Sequence, residues 1–383
     1  MPAEATESRT VLVTGVSRYL GAVVAARLSA DPAVERVVAV DTTPPQGEAA
    51  ALLAAETTTQ TKPVRRRRKA DRSYGDKIEF VRADIQNPLI AKVIVGSEVD
   101  TVVHMAIQVS AARSAARPAV KELNVIGTMQ LLAACQKSDT VRRLVVKSTT
   151  SVYGSNPRDP AVFVEDTPAK SPPRSGYSKD AVEVEGYVRG FSRRRPDISV
   201  TVLRFANFIG PTIDTPVTRY LTLPVVPTAF GFDPRLQLLH EDDAIEVLRL
   251  ATLGDHPGVF NVAGPGTMLL SQVIRRAGRI ALPVPAPAVR IVGNLVRRSG
   301  LVDFSPEQMH FLSFGRVVDI ERLRNQFGYT PKYTTQQALD TYLAGRPIKP
   351  VVPPERIRQG ERLARSLLGV DGAQHDAAVS ERG

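Results

Sequence analysis

Thr10-Val11-Leu12-Val13-Thr14-Gly15-Val16-Ser17-Arg18-Tyr19-Leu20-Gly21 is the stretch that decides the fold. The β-branched and apolar run Thr10 to Thr14 reads as a strand ending at Gly15, and Leu20 to Leu28 carries helical spacing. Strand, turn and helix follow one another at the start of the chain. Gly15 permits a tight turn, and the helix after it aims free N–H groups and a positive dipole end at whatever lies above. Such a place suits a pyrophosphate, and Gly21 lets helix and strand approach closely.

Outward from that turn the pattern repeats. Val37 to Val40 stops at Asp41, Ile78 to Val81 stops near Asp84, and Thr101 to His104 and Leu144 to Val146 follow, the last two separated by a helical segment from Leu123 to Ala134. Val200 to Leu203 reads as a sixth strand and Gly258 to Val262 as a seventh. Near-continuous apolar strands alternating with helices predict an α/β fold, a Rossmann-type doubly wound parallel sheet covered on both faces. Residues 9–210 are the expected nucleotide-binding domain. A basic insertion expected to be disordered, 43–77, interrupts it, with a short helix from Ala49 to Glu56. Residues 211–343, richer in proline and irregular in period, are the expected smaller substrate-binding part, interleaved with the last strands. Residues 344–383 form a Pro-rich and basic tail in which Glu355 to Leu368 reads as an amphipathic helix.

Asp41 narrows the ligand. An acid at the end of the second strand, about 20 residues beyond the turn, accepts hydrogen bonds from the adenosine ribose hydroxyls and repels a 2′-phosphate. The expected cofactor is therefore NAD.

The chain has 383 residues, a single cysteine and a formal net charge of +11. Cys135 sits in an apolar run and reads as core packing, so neither a disulfide nor a thiolate metal site is expected, and no histidine pairs with acids at a ligand spacing. Much of the charge lies in Arg65-Arg66-Arg67-Arg68-Lys69 and in the tail. Such blocks read as solvated segments, with an anionic partner or a membrane surface as the sharper reading. No aromatic residues interleave the arginines, so specific nucleic-acid recognition is not expected. The tail helix reads as docking on its own domain or on a second copy in a homodimer, with a membrane-surface helix as the alternative. With no spanning run and no signal-peptide pattern, the expected location is cytoplasmic, with peripheral membrane association left open.

From residue 9 to 343 the chain resembles the extended short-chain dehydrogenase/reductase superfamily, in its NAD-dependent epimerase/dehydratase branch, the family of UDP-glucose 4-epimerase. Asp84-Ile85 resembles the family's adenine-contacting pair, Val103-His104-Met105-Ala106 its stretch beneath the cofactor, and Asn124-Val125-Ile126-Gly127-Thr128 its helix motif. Ser148 to Gly154 resembles the active-site strand end. Arg204-Phe205-Ala206-Asn207 with Gly210-Pro211, then His240 to Asp243, resemble substrate-side motifs, and Phe327 to Pro331 the closing signature. The resemblance implies that Gly15, Arg18, Tyr19, Leu20, Gly21, Asp41, Asp84, Ile85, Met105, Ala106, Asn124, Lys179 and Phe205 contact the cofactor. It implies that Asn207, Arg235 and His240 contact a substrate, a sugar nucleotide in this family.

Three positions depart from the family. Arg18 stands where its middle glycine falls, and a long side chain there either blocks the pyrophosphate or turns outward and pairs with it; the intact adenine and ribose motifs favour pairing. Leu236 stands where an arginine is expected, with Arg235 beside it. Ser175 stands where the family carries its tyrosine, four residues before Lys179. The implied catalytic set is Thr149, Tyr177 and Lys179, but Tyr177 is two residues from Lys179, roughly 200° round a helix. Cooperation requires that the helix begin after Tyr177, or that another acid such as Tyr153 serve. His104 and His240 are expected to be structural rather than basic catalysts.

These readings predict an oxidoreductase of the epimerase/dehydratase type that transfers hydride transiently to NAD. Two alternatives stay open. Loss of the tyrosine suits a catalytically silent NAD-binding sensor or scaffold. The apolar stretch Leu282-Pro283-Val284-Pro285 and the helix-like Val289 to Val296 suit an oxidoreductase of a lipid or sterol alcohol.

Overall fold

A computed structural model describes residues 9–55, 73–74, 77–105, 117–168, 173, 176–285 and 306–346. The first seven strands are β1 (Arg9–Thr14), β2 (Val34–Asp41), β3 (Ser73–Tyr74), β4 (Ile78–Arg82), β5 (Thr101–His104), β6 (Arg143–Thr149) and β7 (Ser199–Phe205). Later come β8 (Asn207–Ile209), β9 (Val225–Ala229), β10 (Arg235–Leu236), β11 (Leu238–His240), β12 (Gly258–Val262), β13 (Met268–Leu269) and β14 (Ile280–Val284). The main sheet runs β12-β7-β6-β5-β1-β2-β4-β3. Seven of its strands are parallel, and the two-residue β3 adds an antiparallel edge inside the expected insertion, which sequence reading did not anticipate. The order reverses at β1, so a crevice opens above the ends of β1 and β5, where doubly wound sheets hold ligands.

The helices are α1 (Tyr19–Ser29), α2 (Gly47–Ala55), α3 (Ile90–Gly96), α4 (Arg117–Lys137), α5 (Gly176–Arg194), α6 (Pro216–Thr222), α7 (Glu241–Leu253) and α8 (Leu270–Arg276), followed by helices at Pro306–Phe314 and Thr335–Gly345. Because successive side chains of a strand face opposite ways, each strand feeds two cores. Val11, Val13 and Val145 pack with Ala22 and Val24 of α1, Leu53 of α2 and Val247 of α7. Leu12 and Val146 pack instead with Ile94 of α3, Leu131 and Cys135 of α4, and Val188 of α5. Each such fully buried aliphatic side chain contributes about 1.5–3 kcal/mol of transfer free energy, which is what closes both layers over the sheet. Burial also pushes the Cys135 thiol up to about 12, which makes it an inert core residue.

A third core belongs to the smaller part. Ile209, Leu221, Leu238, Met268, Ile274, Leu339 and Tyr342 form it, and the short pairs β8–β11, β9–β14 and β10–β13 frame it. The basic cluster at 65–69, the residues Ala106 and Ser175, the stretch Val289 to Val296 and the tail beyond 346 lie outside the described residues. Among the described residues no helix is long and apolar enough to cross a membrane, and no cluster of three or more His, Cys, Asp or Glu could hold a metal ion.

Candidate active site

The turn between β1 and α1 is built on backbone proximity. Gly15 has φ +79°, a conformation side-chain-bearing residues rarely adopt. A Cβ on Gly21 would stand 2.2 Å from the Gly15 carbonyl oxygen, so only glycine allows α1 to start this close to the strand end. Asp41, at the end of β2, accepts a hydrogen bond from the Ser17 N–H at 2.9 Å and from the Thr42 N–H at 2.7 Å. Its carboxylate therefore faces the turn. Asp84 accepts from the Gln86 N–H at 2.9 Å, Ile85 is buried beside it, and the Met105 N–H donates to the Thr14 hydroxyl at 3.0 Å. The turn, the exposed helix start and the acid fit a dinucleotide.

Arg18 precedes α1 in an extended conformation. Arg18 is an exposed residue, yet partial desolvation of its guanidinium lowers its pKa, against the opposing pull of Asp41. Tyr19 lies beside Thr212 and Glu241, and burial followed by the Glu241 charge pushes its phenol up to about 12. Glu241 is buried at the start of α7. One carboxylate oxygen accepts from the Thr212 N–H at 2.9 Å, and the other has no hydrogen-bond partner.

At the end of β6, Thr149 caps a 3₁₀ turn, Thr150–Tyr153, accepting from the Ser151 N–H at 3.2 Å. Tyr177 reaches Thr149. Helix α5 begins at Gly176, whose φ is +68°, so Tyr177 stands in the first turn of the helix rather than in a loop before it. Burial raises its phenol above the ordinary range, Asp180 and Glu185 add to this, and only the hydrogen bond with Thr149 opposes it. The group is a neutral phenol at neutral pH, able to donate a hydrogen bond but a weak acid. Lys179 points elsewhere: its ammonium lies 3.7 Å from Glu183 and its side chain is 44% exposed. The structure brings Thr149 and Tyr177 together and leaves Lys179 outside that contact.

Tyr153 is committed to the framework. It donates to Asn261 Oδ1 at 2.8 Å, accepts from Arg204 Nη1 at 2.8 Å and stacks on Phe163 with centroids 4.7 Å apart. Arg204 in turn grips Glu185, with Nη2 to Oε2 at 2.6 Å and Nε to Oε1 at 3.0 Å, and Ser148 donates to the same carboxylate at 2.5 Å. Burial alone would lower the Arg204 pKa, but the hydrogen bonds and charge of Glu185 outweigh it and the net shift is upward. This network clamps the β6 end to α5, β7 and β12.

The remaining expected contacts are spread over the site. His104 is buried between the Thr14 hydroxyl at 3.0 Å and the Thr128 hydroxyl at 2.8 Å, and burial, then the Lys147 charge, pushes it down to about 3. It is neutral and held at both ring nitrogens. His240 caps α7 by accepting from the Asp242 N–H at 3.1 Å and stacks on Tyr333, while its buried Nε2 has no partner. Asn124 donates to Asp180 at 3.2 Å and so ties α4 to α5. Phe205 is buried at the end of β7 against Phe208, and Asn207 opens β8 opposite Leu238. Arg235 is exposed and donates to the Ala161 carbonyl at 3.0 Å.

Sequence reading passed over two cations here. Arg316 reaches across from the smaller part and donates to the Gly154 carbonyl at 2.8 Å, to Ser155 Oγ at 3.0 Å and to Ser151 Oγ at 3.2 Å. Lys147 is buried on β6, two residues before Thr149. A lysine closing the apolar run Leu144-Val145-Val146 was the signal that could have drawn attention to it.

The sequence profile of the NAD dependent epimerase/dehydratase family matches residues 11–263. The chain belongs to that family. The cofactor expected at the turn, NAD, is the family's cofactor. An uncharacterised protein of Mycobacterium tuberculosis strain H37Rv is 48% identical to this family member over 359 residues, covering 94% of this chain and 90% of that one. The UDP-glucose 4-epimerase of Mycolicibacterium smegmatis is 31% identical over 140 residues, 36% of this chain and 43% of that enzyme. Among solved structures, dTDP-glucose 4,6-dehydratase from Bacillus anthracis in complex with NAD superposes with a TM-score of 0.64 at 20% identity, covering 88% of this chain and 96% of that one. UDP-glucuronic acid 4-epimerase from Bacillus cereus, in complex with UDP-glucuronic acid and NAD, gives 0.65 at 19% identity, covering 89% and 99%. At such identities these two structures establish the shared fold.

Proposed function

We propose that this family member is an NAD-dependent oxidoreductase of the epimerase/dehydratase type whose substrate is a sugar nucleotide. The observation that carries the proposal is the contact of Tyr177 with Thr149 at the end of β6, two strands from the dinucleotide turn in the same sheet. NAD, when bound, supplies a hydride acceptor for a carbon that bears a hydroxyl. Thr149 would hold that hydroxyl and Tyr177, as a neutral phenol, would hydrogen-bond Thr149; the hydroxyl proton released as hydride leaves the carbon would pass to solvent and return from it when the keto oxygen is reduced again. Lys179 would hold the nicotinamide ribose, which requires it to leave Glu183. Asn207 and His240 line the substrate side, where the bacterial and plant relatives named as UDP-glucose 4-epimerases support a nucleotide-linked sugar.

A second reading, a catalytically silent NAD-binding protein, is favoured by the separation of Lys179 from Tyr177 and by the raised phenol. Purified protein incubated with NAD and sugar nucleotides deuterated on the ring carbons separates the two. A new sugar-nucleotide product, formed more slowly from the deuterated substrate and with Thr149→Ala slowing it about 100-fold or more, supports the enzyme. Bound NAD with no product, unchanged in Thr149→Ala and Lys179→Ala, supports the silent protein. Turnover of lipid alcohols in place of sugar nucleotides moves the substrate to that class.

A further inference from the structure

Two successive hydrogen bonds connect the Thr149 hydroxyl to the smaller part of the chain. Thr149 Oγ accepts from the Ser151 N–H at 3.2 Å and donates to Ser151 Oγ, also at 3.2 Å. Both bonds are at or beyond the long end of the usual range, so this pair alone aims the hydroxyl weakly. Arg316 holds the other side of Ser151. Its Nη1 donates to Ser151 Oγ at 3.2 Å, its Nη2 to Ser155 Oγ at 3.0 Å and its Nε to the Gly154 carbonyl at 2.8 Å. One planar fork thus spans the turn, which reverses at Gly154 with φ +80°. The fork has a backing of its own, since its guanidinium carbon lies 5.4 Å from the centre of the Phe311 ring. A guanidinium can only donate, so Arg316 occupies one lone pair of Ser151 Oγ while the Thr149 proton occupies another. Remove the fork, and the Ser151 hydroxyl is at liberty to rotate and to take the Thr149 proton with it.

Arg316 is placed by the seam between the nucleotide-binding half and the smaller part. A Cβ on Gly315, whose φ is +67°, would stand 2.3 Å from the Arg235 carbonyl oxygen, so glycine is what lets this segment run against β10. Beyond it, Arg316 bridges Leu236 of β10, and the Val318 N–H donates to Gln237 Oε1 at 2.8 Å. On the other side Val318 bridges Phe163, whose N–H donates to the Val317 carbonyl at 2.9 Å. Residues 316–318 are therefore stitched to the smaller part and to the segment that follows the β6 end. Whatever seats the smaller part also seats the fork.

We infer that Arg316 is a positioning residue: through Ser151 it fixes the orientation of the Thr149 hydroxyl, and it makes that orientation depend on the docking of the smaller part. The inference rests on the role of Thr149 in the proposed function and is indifferent to which sugar nucleotide is the substrate. A crevice built from two parts in this way aims its reacting group only when both are in place.

Two measurements on the full chain test this. In sugar-nucleotide turnover, Arg316→Met is expected to lower kcat at least about tenfold while KM changes by less than about threefold, because a group that only aims Thr149 acts after the substrate is bound. Ser151→Ala is expected to match it, and the double variant to lose no more than either single one, since all three break the same link. A raised KM at unchanged kcat, or losses that multiply in the double variant, overturns the relay. Amide hydrogen exchange read by NMR needs no turnover. The Ser151 amide, which donates to Thr149, is expected to exchange at least about tenfold faster in Arg316→Met, while the Ser17 amide, which donates to Asp41, keeps its rate. An unchanged rate at Ser151 overturns the inference, and so does equal acceleration at both amides, which is general loss of stability. If Arg316→Met does not fold, Ser151→Ala, which removes one half-buried hydroxyl, supplies the same readings at position 151. A wild type that turns over no sugar nucleotide removes the proposed reaction, and the exchange rates then decide the inference by themselves.

Discussion

The dinucleotide turn and the end of β6 both lie at the carboxyl ends of the parallel strands, yet they are held in different ways. The turn from Gly15 to Gly21 depends on backbone contacts between residues close in sequence. The loop after Thr149 depends on side chains from four distant elements, Glu185 on α5, Arg204 on β7, Asn261 on β12 and Arg316 in the smaller part. A local turn tolerates change elsewhere in the chain. A buried polar network fails when any member goes, because its partners keep their desolvation cost and lose their hydrogen bonds.

The largest effect that sharpens this contrast is expected from Arg204→Met. It strands the Glu185 carboxylate, of which 6% is exposed, and is expected to cost about 3–5 kcal/mol in urea denaturation. The folded fraction should still bind NAD, and a loss below about 1 kcal/mol, or NAD affinity falling in parallel with stability, breaks the contrast. Gly21→Ala comes next. The added methyl meets a backbone oxygen rather than a flexible side chain, and a cost of about 1–3 kcal/mol is expected in thermal melts, together with weaker NAD binding by calorimetry. A wild-type-like affinity would show that the close approach of α1 is not what shapes the turn. Glu183→Gln is the smallest. It releases Lys179 from a partly exposed pair and should change stability by less than about 1 kcal/mol. If Lys179 must leave Glu183 to steady the ribose, NAD affinity stays level or rises; a marked fall would assign Glu183 a direct part in binding.

Much of the first region was legible before any coordinates. Strand period, the glycine turn and the acid at Asp41 are local signals, and the seven parallel strands follow from apolar runs that need burial on both faces. The separation of Tyr177 from Lys179 was legible too, since two residues on a helix face apart. What spacing could not provide was the partner of each side chain. Tyr177 meets Thr149 because α5 starts at Gly176 and packs beside the β6 end, a contact between segments remote in sequence. Tyr153, a candidate acid by its position near Thr149, is occupied by Asn261 and Arg204. Lys147 was passed over because nothing local marks which face of β6 it occupies. The two-residue β3 escaped notice because it is too short to carry a period.

The network around Tyr153 also spans the order of synthesis. As a nascent chain emerges, β1, α1 and β2 with Asp41 come first. The loop after Thr149 waits for Asn261, and its Arg316 brace arrives later still. Domains generally fold as units, so neither region is complete until the last of these residues has emerged. In this family member the residues of the turn are thus made first and wait for the brace of the loop after Thr149, which comes last.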